Sequence, residues 1–153
     1  GEQDMSDDAK ILVIDDDESV RTVLGMALEQ RGYVVDLAKD GKEAVRKTNT
    51  NFYNLALVDI RLPDMDGVEL LTAMKETTPK MVKIILTGYP SLENAIEAVN
   101  RGADGYIVKP IKMEELLSMV DEHLRKQREA KRYSEEKVKE FIETRAAEME
   151  KEP

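Results

Sequence analysis

Two rhythms of apolar residues take turns along the chain. Short unbroken apolar runs, bounded by acids, glycine or proline, are followed by stretches in which apolar residues recur every three or four positions. The first rhythm predicts strands buried on both faces and the second predicts amphipathic helices. Residues 10–15, 33–38, 55–59, 82–87 and 105–109 are the expected strands. Val20, Val23, Leu24, Ala27 and Leu28 mark a first helix opened by Ser19 and ended at Gly32. Ala44, Val45 and Thr48 mark a second after an Asp40–Gly41 turn, and Val68, Leu71 and Met74 a third that closes before Pro79. Leu92, Ala95, Ile96 and Val99 line a fourth that stops at Gly102, and Leu116, Leu117, Val120 and Leu124 a fifth that begins near Met113.

Strand and helix alternate without a gap, which predicts an α/β fold: a doubly wound, five-stranded parallel sheet covered by helices on both faces. Right-handed crossovers leave few topologies, and 2-1-3-4-5 is one of the two common strand orders. The expected organisation is an N-terminal tail (1–9), one domain (10–126) and a charged helical extension or linker (127–153). Gly1 to Asp4, ahead of Met5, read as an expression remnant. Residues 127–134 are almost wholly polar and break the fifth helix's stripe, which Val138, Phe141, Ile142 and Met149 restart on a final short helical segment. A heptad count puts Gln127, Lys131 and Ser134 at the seam, a poor coiled coil. A partly solvated extension is the plainer reading, and a dimer contact or the start of a linker the sharper one.

Composition narrows the field. The net charge of −9 argues against direct contact with nucleic acid, which needs a basic face. Without cysteine there are no disulfides or thiolate metal sites, which suits the cytoplasm. No apolar run approaches the roughly 20 residues of a membrane helix, and no signal peptide is evident at the N-terminus.

The expected strand order gathers chemistry at one sheet edge. Asp15, Asp16 and Asp59 converge there, joined by Thr87 and Lys109 from the ends of strands four and five. Three neighbouring carboxylates repel one another unless a cation lies among them. Oxygen ligands without His or Cys select a hard ion, and Mg2+ fits a shared phosphoryl group best. Asp59 can attack that group, as carboxylates do in aspartyl-phosphate enzymes. Lys109 offers a point charge and Thr87 a hydroxyl to the phosphoryl oxygens. Taken singly, each residue except Asp59 has a plainer explanation: Asp17 and Asp66 as helix caps, Thr87 as a strand-end hydroxyl, Lys109 as a solvated charge, Tyr106 as an ordinary aromatic.

Four stretches name a family: Ile11-Leu12-Val13-Ile14-Asp15-Asp16-Asp17, Val58-Asp59-Ile60-Arg61-Leu62-Pro63-Asp64-Met65-Asp66-Gly67, Ile85-Leu86-Thr87-Gly88, and Gly102-Ala103-Asp104-Gly105-Tyr106-Ile107-Val108-Lys109-Pro110. Their sequence, order and spacing resemble the flavodoxin-like receiver domains of two-component response regulators, over residues from about 10 to 124. The resemblance implies that Asp59 accepts a phosphoryl group from a sensor histidine kinase. It implies that Asp15, Asp16, Asp59 and the backbone carbonyl of Arg61 hold Mg2+, and that the Lys109–Pro110 bond is cis. It makes Thr87 and Tyr106 a switch pair that alters the surface of the fourth helix, fifth strand and fifth helix, toward a downstream target, an output domain or a second copy. Such a domain catalyses only its own phosphorylation and dephosphorylation. Gly88, Gly105 and Ile111 depart from common members of the family. Arg61 and Tyr89, each two residues past a key side chain, are large enough to shield an acyl phosphate from water.

Rival readings are weaker. Asp15-x-Asp17 mimics the signature of haloacid-dehalogenase-type phosphatases, with Asp15 as nucleophile, but the acidic pair such an enzyme needs after its lysine is missing near Met113-Glu114-Glu115. His123 as a phosphotransfer histidine lacks a surrounding helical bundle, and no DNA-recognition unit fits the C-terminal residues.

Overall fold

The computed structural model describes residues 9–151, so most of the expected N-terminal tail, the expression remnant included, lies outside the described residues. Within them, strands β1 (Lys10–Ile14), β2 (Val34–Ala38), β3 (Leu55–Asp59), β4 (Val82–Thr87) and β5 (Gly105–Val108) alternate with helices α1 (Glu18–Gln30), α2 (Gly41–Thr50), α3 (Gly67–Ala73), α4 (Leu92–Asn100) and α5 (Met113–Glu150). The sheet is parallel in the expected order, β2-β1-β3-β4-β5.

The period-two geometry of a strand splits each apolar run between two cores. Ile11, Val13, Leu55, Leu57, Ile84 and Leu86 face Leu24 and Leu28 of α1 and Leu116, Val120 and Leu124 of α5. Leu12, Ile14, Ala56, Val58 and Ile85 face Ala44, Val68, Leu71, Met74 and Ala98 from α2, α3 and α4. Lys83, the one charge inside a central strand, is buried, and its Nζ donates to the Leu71 carbonyl at 2.6 Å. Burial, and then the nearby Lys80 charge, pull its pKa below the usual lysine range.

Side-chain caps set where the helices begin. Asp17, Asp40 and Asp66 accept from the first-turn N–H groups of α1, α2 and α3, and Ser91 does so for α4. The Asp40–Gly41 turn is therefore the start of α2 itself. An added Cβ on Gly105 would lie 2.9 Å from Met119 Sδ, so a larger residue there would have to displace that side chain.

Two expectations are corrected. The apolar stripe assigned to the buried face of α4 faces solvent: Leu92, Ile96 and Val99 are 78%, 52% and 68% exposed. Ala98, fully buried, is the residue through which α4 meets the sheet, and a small side chain there seats the helix close to the strands. Val23 of α1 is likewise exposed. Second, the polar stretch 127–134 does not interrupt α5, which runs unbroken from Met113 to Glu150. That stretch contains no Gly or Pro, and Arg125 bridges to Glu122 and Glu129 across successive turns. Gln127 Nε2 also donates to the carbonyls of Asn54 and Lys80, pinning the helix at the far edge of the sheet.

Candidate functional site

Strand register builds the site. Ile14 pairs with Val58 and Asp59 pairs with Leu86, so β1, β3 and β4 end together at one edge. Asp15, Asp16 and Asp59 leave the sheet at that edge, and one carboxylate oxygen from each lies within 4.8 Å of the others. Asp15 is fully buried, Asp59 nearly so, and Asp16 exposed. Thr87 at the end of β4 is also fully buried. Lys109 Nζ stands 3.0 Å from Asp15 Oδ2 and 3.6 Å from Asp59 Oδ2. The three aspartates and Lys109 meet, and Thr87 stands at the end of the neighbouring strand. The Lys109–Pro110 bond is cis, as is Thr78–Pro79.

The electrostatics follow from this crowding. Burial and then the Asp15 charge push the Asp59 carboxyl up to about 6, against the pull of Lys109 and of the Arg61 N–H, which donates to Asp59 Oδ1 at 3.3 Å. Burial works against the Lys109 ammonium. The Asp15 hydrogen bond and the charges of Asp15 and Asp59 outweigh it and hold Lys109 above the ordinary lysine range. Lys109 thus neutralises the acids where a hard cation would also fit. Oxygen donors from three carboxylates, with no His or Cys among them, suit such an ion.

The loop after Asp59 is tightly closed. The backbones of Arg61 and Asp66 form an isolated antiparallel β-bridge, the Gly67 N–H donates to the Ile60 carbonyl at 2.8 Å, and a Cβ on Gly67 would lie 2.2 Å from the Asp59 carbonyl oxygen. Asp64 accepts from the Gly41 and Lys42 N–H groups, both at 2.9 Å, and so ties this loop to α2. The Arg61 guanidinium lies 3.6 Å from the Tyr89 ring centroid, a cation–π stack beside the acids. The Tyr89 N–H donates to Thr87 Oγ1 at 2.9 Å. Tyr106 is half-buried, and its hydroxyl donates to Asn94 Oδ1.

Sequence reasoning missed Asn94, Asp64 and Arg21, whose Nη1 donates to the Asp15 carbonyl at 2.8 Å. The one sequence signal for any of them is Ser91-x-x-Asn94, a variant of the capping-box pattern at the start of α4. The expected plain roles of Asp17 and Asp66 are observed: both cap helices. Asp15 accepts from the Asp17 N–H at Oδ1 and from Lys109 at Oδ2. His123 lies on a groove with Thr78, Pro79 and Lys126, near the start of β4 and away from the acids at its end.

The comparisons with known proteins agree with this geometry. Residues 11–121 match the response regulator receiver domain. The transcriptional regulatory protein ZraR of Klebsiella oxytoca is 40% identical over 114 residues, which are 74% of this chain and 26% of that protein. The response regulator ArlR of Staphylococcus saprophyticus is 36% identical over 120 residues, 77% of this chain and 53% of that one. The chain thus spans about a quarter of the one relative and about half of the other. Among solved structures, a CheY-like receiver domain protein from Methanospirillum hungatei superposes with a TM-score of 0.76 at 43% identity, covering 80% of this chain and 98% of that one. A response regulator from Burkholderia pseudomallei, crystallised with a phosphorylated aspartic acid, a calcium ion and citrate, gives 0.68 at 31% identity over 89% of this chain and 75% of that one. Sequence, fold and the acidic edge agree, and the chain belongs to the response regulator receiver domains of two-component signalling.

Proposed function

We propose that Asp59 is the phosphoacceptor. An Asp59 carboxylate oxygen bonds to phosphorus as the P–N bond of a sensor kinase's phosphohistidine breaks and the electron pair returns to the imidazole. Asp15, Asp16, Asp59 and the backbone carbonyl of Arg61 would hold Mg2+, which supplies charge neutralisation for the phosphoryl oxygens. Lys109 leaves its carboxylate partners to meet one phosphoryl oxygen, and the Thr87 hydroxyl donates to another. Drawing Thr87 toward phosphorus breaks the bond it accepts from the Tyr89 N–H, and Tyr106 then repacks; a local charge biases a two-state element. The chain acts only on its own phosphorylation state and not on a separate substrate. Arg61 and Tyr89 cover the site and slow hydrolysis.

The observation that carries this reading is the meeting of Asp15, Asp16 and Asp59 within one ion's reach at the strand ends, with Lys109 paired to two of them. The partners are a histidine kinase and a downstream protein or output domain, as the transcriptional regulators among its relatives suggest. Residues 10–126 form the receiver unit, and 127–153 a linker or a contact with a second copy. The exposed Leu92, Ile96 and Val99, with Val108 of β5, give the face of α4, β5 and α5 an apolar surface for a target or a second copy. Among the described residues no helix is long and apolar enough to cross a membrane, and a cytoplasmic setting suits the proposed partners.

Intact mass after incubation with acetyl phosphate and Mg2+ tests the acceptor. One added phosphoryl group on the native chain and none on Asp59→Asn is expected. Uptake by Asp59→Asn at native stoichiometry overturns the assignment.

A further inference from the structure

Three groups converge on the Asn94 side chain in the first turn of α4. Its Oδ1 accepts from the Tyr106 hydroxyl and, at 3.4 Å, from the Ser91 N–H. Its Nδ2 donates to the Tyr89 carbonyl at 3.0 Å. Two donors on the oxygen and a carbonyl on the nitrogen fix the orientation of the amide. The Asn94 backbone N–H also donates to Ser91 Oγ at 3.1 Å, so the residue is anchored by the helix it begins. In this structure Tyr89 is held at both ends of its backbone, its N–H by Thr87 and its carbonyl by Asn94; once Thr87 turns to phosphorus, the Asn94 link is the one of the two that remains. The Tyr89 ring carries the Arg61 guanidinium, and the backbone N–H of Arg61 reaches Asp59 Oδ1 at 3.3 Å. Since Tyr89 is 60% exposed, packing alone does not fix its position.

We infer that Asn94 is a positioning residue for the acyl phosphate, fixing Tyr89 and the stacked Arg61 over Asp59 and linking that cover to Tyr106. The inference rests on the Asp59 reading. Hydrolysis requires a water oxygen to bond to phosphorus while the bond to Asp59 breaks and its electron pair returns to the carboxylate; the protons of water leave with phosphate and solvent. A cover anchored at Tyr89 restricts the approach of that water. Release of Tyr106 from Asn94 as its ring repacks would leave the Tyr89 link intact, because Nδ2 carries it alone.

Asn94→Asp separates the two roles. A carboxylate still accepts from Ser91 and Tyr106 and suits a helix N-terminus, but it has no donor for the Tyr89 carbonyl. Asn94→Ala removes every side-chain bond. Full-length protein is labelled with acetyl phosphate and Mg2+, desalted, and its loss of the phosphoryl group followed by intact mass. Both variants should lose it about three- to tenfold faster than native, the order set by one hydrogen bond. In a Tyr89→Ala background, Asn94→Asp should add nothing further, since its path runs through Tyr89. Thermal unfolding should leave Asn94→Asp close to native. A native decay rate in Asn94→Asp, or an equal acceleration with and without Tyr89, overturns the inference. Failure of the Asp59 reading looks different: the native chain takes no label, or Asp59→Asn takes as much.

Discussion

Asp59 sits in a place that favours its neutral form. Its pKa of about 6, against the ordinary 3.8, means the folded chain holds that proton more tightly than the unfolded chain does. Between these values the folded state binds more protons, so stability falls as pH rises from about 4 to about 6 in metal-free protein. Asp59→Asn removes that cost and leaves Lys109 its Asp15 partner. In EDTA at pH 7 the variant should gain on the order of 2 kcal/mol by urea unfolding, a gain that vanishes near pH 4. Gly67 makes the opposite point. A methyl group there meets the Asp59 backbone, and Gly67→Ala should cost about 3 kcal/mol in urea and blunt phosphoryl uptake with it. Asp15, Asp59, Thr87 and Lys109 were legible in the sequence because each ends an apolar run, and strand order does the rest. Asp64 was not, because it acts on the backbone of a distant segment. Asn94 and Arg21 were not, because the capping-box pattern at Ser91-x-x-Asn94 signals a helix start and nothing local signals a side chain turning back to the Tyr89 or Asp15 carbonyl.

At the scale of elements, periodicity identified every strand and helix but misjudged the facing of α4. An apolar stripe marks a face that avoids water; it does not say whether sheet or partner covers it. The sheet takes Ala98, and the larger side chains are left outside. Ala98→Leu should therefore cost about 2 kcal/mol, by wedging α4 off the strands, and Leu92→Ser less than about 0.5 kcal/mol, both by urea unfolding. α5 was misjudged differently. A polar stretch ends an apolar stripe without ending a helix when its residues favour helix on their own.

Taken whole, the molecule is a covered sheet with a shaft attached. Residues 131–150 are exposed throughout, so a chain ending at Ala130 should match the native urea midpoint within about 0.5 kcal/mol. Gln127→Ala, which frees α5 from Asn54 and Lys80, should cost about 1 kcal/mol. Gel filtration of the two lengths, with and without phosphorylation, separates an association carried by the shaft from one carried by the α4 surface. From Gln127 to Glu150 the unbroken helix extends about 35 Å at 1.5 Å per residue. It is seated on the same sheet whose opposite rim carries the acids. A tilt of about 5° at its root sweeps the tip through about 3 Å, the width of a hydrogen bond, so a shift too small to see at the rim is magnified at the far end of the shaft.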